Sequence, residues 1–309
     1  MTEPESMNET EATINGAGPA AVFAEHRALL VTVAYEITGS AADAEDVVQD
    51  SYLRWAAVDI ADVQAPRAYL VKIATRLALN KLRSAARRRE DYVGPWLPEP
   101  LLTSQDIADD VVLADSVSMA MLVVLDTLTP DQRAVFVLHE VFGFSFPEIA
   151  GAIGKNEAAV RQIAHRARTH VHERRPPTAR SSAELTNRVL QRFLTAASTG
   201  DVQGLMDVLA PDVVLITDGG GIKSAALRPI LGADKAARFL AAVSTTGSGG
   251  ELRIEPALFN SSPGSVVYLD DEADTVGTVD VVDGKIVAIY LVRNPDKLAG
   301  LHTLRSLSR

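Results

Sequence analysis

The sequence has no cysteine and no long apolar run. Because none of its 309 residues is a cysteine, disulfides, thiolate metal sites and thiol redox sensing are excluded. The histidines show no HxxxH or HExxH spacing that would predict a metal site. No apolar stretch is long enough to cross a bilayer, and the acidic start MTEPESMNETEATINGAG lacks the basic and apolar segments of a signal peptide. We therefore predict a cytoplasmic protein with a disordered tail and no cofactor or metal.

Positive charge is scarce overall but is concentrated in two segments. The formal net charge of −10 argues against a protein that coats nucleic acid over its whole surface. Between Arg67 and Arg89, however, every charged residue is basic, and Arg161–Arg180 contains a single carboxylate, Glu173. This placement predicts local contacts with nucleic acid.

An acidic amphipathic helix is predicted after Ser40, which forms a start resembling a capping box together with Asp43. Its buried stripe would include Tyr52 and Trp55, and the opposite face is charged. Taken alone, such a face is typical of a solvated helix. Its members are Asp43, Asp46, Asp50 and Arg54, flanked by Glu45 and Gln49.

The next predicted helix begins at Pro66, a favourable residue for a first helical position. Leu70, Ile73 and Leu77 form its apolar side. The opposite side combines cations with an aromatic ring and an amide, which suits the phosphates and unstacked bases of single-stranded or melted DNA. A solvated basic face is the alternative. The side includes Tyr69, Lys72, Arg76, Asn80 and Arg83.

A proline-rich linker separates this helix from a second helical part. Its Trp96 and Leu97 are too apolar for an idle linker, so we expect them to dock on a neighbouring domain. Beyond the linker, the apolar pattern predicts a helix over Asp115–Leu128, followed by another that starts at Thr129.

Two helices around a glycine turn then predict a helix-turn-helix. The first starts with a capping box of Ser145 and Glu148 and ends at Gly154, and Asn156 caps the second. Helix pairs often have no DNA role, but here the second helix is basic and could read base edges in the major groove. Its candidates are Arg161, Gln162, His165, Arg166 and Arg168.

The last third of the chain changes in composition. Helical patterns at Glu184–Thr199 and Val202–Leu209 precede alternating apolar runs, and Asp283 with Gly284 is a strong hairpin signal. Helices packed on one antiparallel sheet predict an α+β domain. The predicted strands are Val213–Thr217, Leu252–Leu258, Val266–Tyr268, Thr275–Val282 and Lys285–Val292.

The order of these motifs resembles the extracytoplasmic-function group of sigma-70 factors. The resemblance covers Ala21–Glu173 and rests on DAEDVVQDSYLRW, PRAYLVKIATRLALNKLR and LTPDQRAVFVLHEVFGFSFPEIAGAIGKNEAAVRQIAHRAR. It implies a region-two domain, a region-four domain and a role in directing core RNA polymerase to promoters. Pro147 and Gly151 stand where the family usually has helix-favouring carboxylates, which predicts a short or bent first helix in the motif.

The resemblance also assigns a partner to each charged surface. The acidic helix would bind the clamp coiled coil of the largest subunit of core polymerase through Asp43, Glu45, Asp46, Gln49 and Asp50. The basic helix would hold the melted −10 element through Tyr69, Lys72, Arg76, Asn80, Lys81 and Arg83. The recognition helix would read the −35 element through Arg161, Gln162, His165, Arg166 and Arg168.

The C-terminal part looks like a SnoaL-like domain of the ketosteroid-isomerase, or cone-barrel, superfamily, an extension that one subgroup of these sigma factors carries. That subgroup has WLPEP in the linker, DGGG in the extension and NPDK near its end, and all three motifs are present here. We hypothesise that the extension regulates in cis by packing on region two and the linker. The residues concerned are Trp96, Leu97, Pro98, Asp218, Gly219, Gly220, Asn294, Pro295, Asp296 and Lys297.

We do not predict an enzyme. The superfamily's isomerases use a pocket carboxylate with a tyrosine or a protonated acid. Asp218, Tyr268 and Tyr290 could be given these roles, but no spacing brings them together, and fold analogy alone supplies no reaction. An unidentified small ligand in the domain's cavity is left open. The alternatives are a polymerase-independent, ligand-responsive DNA-binding regulator, and a cyclase or isomerase fused to a DNA-binding module.

The predicted protein is therefore multidomain, with two all-α domains that bind DNA and polymerase, the second with a helix-turn-helix, followed by an α+β SnoaL-like domain. Its expected partners are core RNA polymerase and promoter DNA, and no membrane. The predicted parts are a tail 1–18, a region-two domain 19–92, a linker 93–113, a region-four domain 114–175, a linker 176–183, the SnoaL-like domain 184–300 and a tail 301–309.

Overall fold

The computed structural model describes residues 18–89, 91–104, 110–174, 181–245, 251–301 and 303–309. The chain begins with three helices: α1 Pro19–Thr38, α2 Ala41–Trp55 and α3 Pro66–Arg89, with a 3-10 turn at Ile60–Asp62 before α3. After the linker come α4 Val111–Ser116, α5 Met119–Asp126, α6 Pro130–Phe136 with a π-helical turn at Val137–Val141, α7 Phe146–Ile153 and α8 Glu157–Arg174.

Two expectations for these helices are wrong. The helix expected over Asp115–Leu128 is two helices, because the Ser118 hydroxyl accepts a hydrogen bond from the Met121 amide at 3.3 Å and starts α5 there. Tyr52, expected in the buried stripe of α2, is 39% exposed and meets Phe23 edge-on. By contrast α7 is short as predicted, with eight residues and Pro147 in its first turn, where a missing N–H costs nothing.

The C-terminal part is an α+β domain with one six-stranded sheet of order β2-β1-β6-β5-β4-β3. The sheet is not wholly antiparallel as expected: β1 pairs with β6 in parallel, and the other neighbours are antiparallel. The short β2 and helix α11 escaped the sequence pattern. The elements are α9 Ala183–Thr199, α10 Val202–Val208, β1 Leu209–Asp218, β2 Ile230–Leu231, α11 Ala233–Thr245, β3 Leu252–Phe259, β4 Ser262–Leu269, β5 Glu272–Val282, β6 Lys285–Val292 and α12 Pro295–Leu298.

Three hydrophobic cores hold the described elements. The first is continuous between α1–α3 and the helices of the second helical part. The second lies between α9, α11 and one face of the sheet, with Phe193 and Ile289 at its centre. The third covers the opposite face of the sheet, where Leu97 of the linker and Met119 of α5 are buried. The linker and the second helical part therefore cover the face of the sheet that α9 and α11 leave open.

A carboxyl group is buried between the two helical parts. Glu36 of α1 is fully buried, and its Oε1 accepts a hydrogen bond from the Ser116 hydroxyl at 2.7 Å. Its Oε2 has no hydrogen-bond partner among the described residues. Arg133, also buried, donates from Nε to the backbone carbonyl of Glu36 at 2.7 Å and pairs with Asp126 at 3.1 Å. Burial raises the pKa of Glu36 to about 8, although Ser116 and Arg133 oppose the shift.

We expect this carboxyl to make stability depend on pH. The unfolded chain releases the proton near its ordinary pKa of 4.5, whereas the folded protein keeps it up to about pH 8, so stability falls as pH rises between these values. Glu36→Gln keeps the site neutral and should remove this fall. At about 1.4 kcal/mol per pKa unit, Glu36→Gln should raise the free energy of unfolding at pH 9 by on the order of a few kcal/mol. Thermal unfolding at pH 5 and pH 9 measures this effect.

Glu25→Gln is the matched control, because Glu25 lies on the same helix but is exposed. It removes the same charge and should leave the pH dependence of the unfolding temperature unchanged. If Glu36→Gln and Glu25→Gln gave the same pH profile, Glu36 would not be the group responsible.

Candidate nucleic-acid interface and the linker that supports it

The N-terminus of the acidic helix α2 is fixed by two caps. Ser40 Oγ accepts a hydrogen bond from the Asp43 amide at 3.1 Å, as the sequence predicts. Ser40 Oγ also donates to Glu99 Oε1 at 2.7 Å, and the Ala41 amide donates to Glu99 Oε2 at 2.6 Å. A carboxylate at a helix N-terminus is favoured by the helix dipole. The linker residue Glu99 thus adds a second cap to α2, a role that sequence analysis did not assign to it.

Three of the five predicted polymerase-binding residues are exposed, and three of the five form ion pairs within the chain. Asp46, Gln49 and Asp50 are exposed on α2. Glu45 is paired with Arg27 at 2.6 Å and with Arg305 of the C-terminal tail. The remaining carboxylate, Asp43, lies 3.5 Å from the ammonium group of Lys81, which also pairs with Asp46 at 2.7 Å.

Lys81 therefore faces the acidic helix, although the sequence grouped it with the −10 candidates. All members of that group lie on α3, where Tyr69 packs against Trp55 with ring centroids 6.0 Å apart. Asn80 is exposed, and Lys72 is partly buried. The structure thus separates one cation from the predicted set.

Two arginines of the same set contact the second helical part. Arg76 donates from Nη2 to the carbonyl of Gly151 at 2.8 Å and from Nε to the carbonyl of Ala152 at 2.9 Å. These carbonyls belong to the last turn of α7, where the helix dipole favours a cation. Arg83 pairs with Asp131 at 2.8 Å. We call this packing of α3 against α6 and α7 the closed arrangement; in it Arg76 and Arg83 already have partners within the chain.

The helix-turn-helix presents its predicted recognition residues to solvent. α7 starts with the predicted capping box and ends at Gly154, which has a left-handed φ of 72°. Val160 and Ala164 are buried on the inner side of α8. At its start, the Asn156 side chain accepts a hydrogen bond from the Ala159 amide at 2.8 Å. All five −35 candidates are exposed on the outer side: Arg161, Gln162, His165, Arg166 and Arg168.

Some of these candidates have partners on the surface. Arg161 pairs with Glu157 at 2.5 Å, and its guanidinium lies 4.6 Å from the ring centre of Phe146. Arg168 pairs with Glu140 at 2.5 Å. Exposed pairs of this kind contribute less than about 1 kcal/mol, so they leave both arginines available to a phosphate or a base.

The linker is held by a buried carboxylate of the C-terminal domain. Asp218, at the end of β1, is fully buried and accepts hydrogen bonds from the Tyr92 hydroxyl at 2.5 Å and the Leu97 amide at 2.8 Å. The ammonium group of Lys297 lies 2.6 Å from Oδ2 of Asp218 and 4.0 Å from the ring centre of Trp96. We call these five residues the Asp218 cluster.

The other residues of the three motifs surround this cluster. The side-chain Nδ2 of Asn294 donates to the Tyr92 hydroxyl at 2.9 Å. A Cβ on Gly220, whose φ is +63°, would lie 2.4 Å from Asn294 Nδ2, and one on Gly219 would lie 2.1 Å from the Lys223 carbonyl oxygen. Pro98 is buried, whereas Pro295 and Asp296 are exposed in the first turn of α12. The glycines thus permit the close approach of a loop to the linker.

Several residues of this interface escaped sequence analysis. Tyr92 is one; burial and its hydrogen bond to Asp218 raise its pKa. Asn260 is another: fully buried, it donates to the Tyr35 hydroxyl at 2.7 Å and the Val117 carbonyl at 2.9 Å and accepts from the Leu101 amide at 3.0 Å. Its left-handed φ of 55° fits an asparagine in a hairpin turn, the only signal that could have drawn notice to it.

The C-terminal tail also contacts the first helical part. Leu307 is buried in the first core, and the Ser308 amide donates to the Thr32 hydroxyl at 3.1 Å. Arg305 pairs with Glu45, and Arg309 pairs with Asp110 at 2.5 Å. The segment predicted only as a tail thus lies beside the acidic helix.

The three residues considered for catalysis each contact a different partner. Asp218 is occupied by the linker, the Tyr290 hydroxyl donates to Asp280 at 3.1 Å, and the Tyr268 ring lies under Arg253 at 4.2 Å. Within the described ranges no group of histidines and carboxylates could hold a metal ion. Across the same ranges no helix has the length and apolar character to span a membrane.

Comparison with known proteins defines the class. Residues 22–88 match the family described as Sigma-70 region 2, and residues 118–171 match Sigma-70, region 4. The sequence is 40% identical over 298 residues to the ECF RNA polymerase sigma factor SigJ of Mycobacterium tuberculosis, covering 90% of this chain and 92% of that protein. It is 39% identical over 197 residues to the probable ECF RNA polymerase sigma factor SigI of that species, covering 62% of this chain and 67% of the relative.

The fold agrees with this class. The crystal structure of the M. tuberculosis extracytoplasmic function sigma factor SigJ superimposes with a TM-score of 0.74 at 35% identity, covering 91% of this chain and 99% of that one. The chain therefore belongs to the extracytoplasmic-function sigma factors of the sigma-70 family. The predicted fold class, two helical parts followed by an α+β domain, is confirmed.

We expect Asp218→Asn to loosen the linker. It leaves the Lys297 ammonium group without a charged partner in the Asp218 cluster, and losing one member of a buried pair costs about 3–5 kcal/mol. Cleavage of the linker by a protease should become faster, and the emission of Trp96 should shift to the red. Limited proteolysis and fluorescence of a Trp55→Phe background, in which Trp96 is the remaining tryptophan of the two, measure both effects.

Asp212→Asn is the control, since Asp212 lies on the same strand but is exposed. It should change neither measurement. Equal linker cleavage in both variants would show that Asp218 does not hold the linker.

Proposed function

We propose that the chain is a promoter-specific initiation subunit of RNA polymerase and acts in the cytoplasm. The observation that carries this proposal is the separation of two charged surfaces within the regions that match sigma-70 regions 2 and 4. The acidic surface of α2 faces solvent at Asp46 and Asp50, and the basic surface of α8 faces solvent at Arg166. In this role the C-terminal domain requires no reaction of its own.

Each surface receives one partner in the proposal. The exposed side of α2 binds the clamp coiled coil of core polymerase, where carboxylates meet basic groups of the partner. The outer side of α8 reads the −35 element, because its Arg and Gln side chains can bond base edges in the major groove. The exposed side of α3 holds the melted −10 strand through cations, Tyr69 and Asn80.

The closed arrangement gives the proposal a regulatory step. Arg76 and Arg83 contact Gly151, Ala152 and Asp131 in the closed arrangement, so a phosphate must compete with these contacts. Movement of the region-four helices away from α3 would release both arginines for the −10 strand. A separation of the two DNA-binding parts is also what simultaneous reading of two promoter elements requires, because the elements lie apart on the duplex.

The C-terminal domain acts in cis in this proposal. It holds the linker through the Asp218 cluster, and the same linker caps α2 through Glu99. It also places Arg305 against Glu45, one of the proposed polymerase contacts. The domain therefore influences both the spacing of the DNA-binding parts and access to the acidic surface.

Reconstituted transcription tests the function. Core polymerase mixed with the protein should initiate at a promoter with −35 and −10 elements, and neither component alone should do so. The double substitution Asp46→Lys and Asp50→Lys reverses the exposed charge of α2 and should lower core affinity by about tenfold or more, since each 1.4 kcal/mol is a factor of ten. Core binding and transcript yield are the measurements.

The matched control is the double reversal Asp207→Lys and Asp212→Lys, at exposed positions of the C-terminal domain. It changes net charge equally and should leave core binding intact. A protein that bound promoter duplex without polymerase, and whose output ignored the α2 reversal, would instead be a polymerase-independent regulator.

One single substitution tests the closed arrangement, and a second tests the contact of the C-terminal tail with α2. Asp131→Asn removes the partner of Arg83 and should raise affinity for a single-stranded oligonucleotide with the −10 sequence of a mapped promoter. Arg305→Ala uncovers Glu45 and should raise affinity for core polymerase. Partly exposed ion pairs are worth at most about 1 kcal/mol, so each gain should be no more than about fivefold, measured by fluorescence anisotropy and by competition for core.

Asp234→Asn and Arg188→Ala serve as controls, because each breaks an exposed pair within one helix of the C-terminal domain. Neither should change either affinity. A loss of oligonucleotide binding in Asp131→Asn would contradict the closed arrangement as a barrier to DNA.

A further inference from the structure

The C-terminal domain encloses a cavity that the proposed function does not use. Its volume is about 620 Å³, within the range of pockets for small organic ligands. It lies between α9, α11 and the face of the sheet opposite the linker. Most of its wall is apolar and includes Leu194, Phe239, Ile254 and Leu291. Exposed Val243 and Leu252 stand at its rim.

The charged side chains in this wall leave an excess of positive charge. Within the described ranges they are Lys223, Asp274 and Arg293. Arg293 Nη2 donates to Asp274 at 2.9 Å, and the Lys223 ammonium group lies 3.1 Å from the same carboxylate. Burial disfavours the charged form of Asp274, but the Thr275 hydroxyl and the two cations hold its pKa below the usual range. One carboxylate therefore faces two cations.

We propose that this cavity binds an amphipathic monocarboxylic acid. The apolar wall would take the body of the ligand, and its carboxylate would complete the charge balance beside Lys223. The Lys223 side chain is 42% exposed, so it can move to meet the ligand without unfolding the loop. An apolar molecule without an anionic group would gain the wall contacts but would leave the excess charge unmatched.

The cavity is directly connected to the Asp218 cluster on the other face of the sheet. Thr217 lines the cavity and directly precedes Asp218 on β1. Because successive side chains of a strand point to opposite faces, Thr217 faces the cavity and Asp218 faces the linker. The Arg293 amide donates to the Asp218 carbonyl at 2.7 Å. The DGGG loop joins Asp218 to Lys223, whose amide donates to the Gly219 carbonyl at 3.0 Å. A ligand that binds Lys223 therefore acts on the loop that is joined to Asp218. Through Asp218 the ligand would be an effector of the linker.

Binding of dodecanoate and of 1-dodecanol to the full chain tests the ligand class, by calorimetry below the micelle concentration. Dodecanoate should bind about tenfold more tightly than the alcohol. Lys223→Gln should remove this preference and leave alcohol binding unchanged. Ala197→Phe, which fills the cavity from α9, should abolish binding of both. Lys235→Gln, an exposed lysine of α11 outside the cavity, should change neither.

The effector role has its own measurement, which uses neither polymerase nor DNA and so can fail independently of the proposed function. In the Trp55→Phe background, dodecanoate should change the emission of Trp96 and dodecanol should not. Equal affinity for acid and alcohol, or no binding of either, would overturn the ligand class. Dodecanoate binding that left Trp96 unchanged would overturn the effector role.

Discussion

The burial of Asp218 is the constraint on which the arrangement of the chain depends. A buried carboxylate is costly unless it is paired and hydrogen-bonded. The C-terminal domain supplies part of what Asp218 needs, through the Lys297 ammonium group and the Gly220 backbone amide. The Tyr92 hydroxyl and the Leu97 amide come from the linker. If the linker detached, the Asp218 carboxylate would lose these two hydrogen-bond donors, so the contact holds the domain and the linker together. Because Glu99 of the same linker caps α2, the linker contacts both the acidic helix and the C-terminal domain.

The contacts outside this cluster are of a different strength. Lys81 with Asp46, Arg83 with Asp131 and Arg305 with Glu45 are all at least partly exposed, and such pairs contribute little individually. A polyanion or a basic coiled coil offers several charges at once and can outcompete them. The buried cluster is not open to such competition. The structure thus combines buried attachments, which include the first core between the two helical parts and the Asp218 cluster, with surface ion pairs that a charged partner can replace.

Local signals predicted much of this fold, and distant contacts explain what they missed. Capping boxes at Ser145 and Thr129, glycine at Gly154 and the hairpin at Asp283 act within a few residues, so they can be recognised in the sequence. The apolar character of Leu97 in a linker was likewise visible. Asn260, Tyr92 and Arg305 act on residues far away in the chain, and nothing in their own neighbourhood specifies a partner. The contacts of Lys81 with Asp43 and Asp46 were not foreseen, because helical phase alone cannot show which neighbouring helix a side chain meets.

The strand β1 explains how one domain can have two separate surfaces that remain coupled. Thr217 faces the cavity and Asp218 faces the linker, since neighbouring residues of a strand point in opposite directions. Any displacement of the backbone at this point moves both side chains together. The loop that follows is tightly packed, because a Cβ at Gly219 or Gly220 would overlap Lys223 or Asn294. The end of β1 and this loop therefore join the cavity wall to the residues that contact the linker.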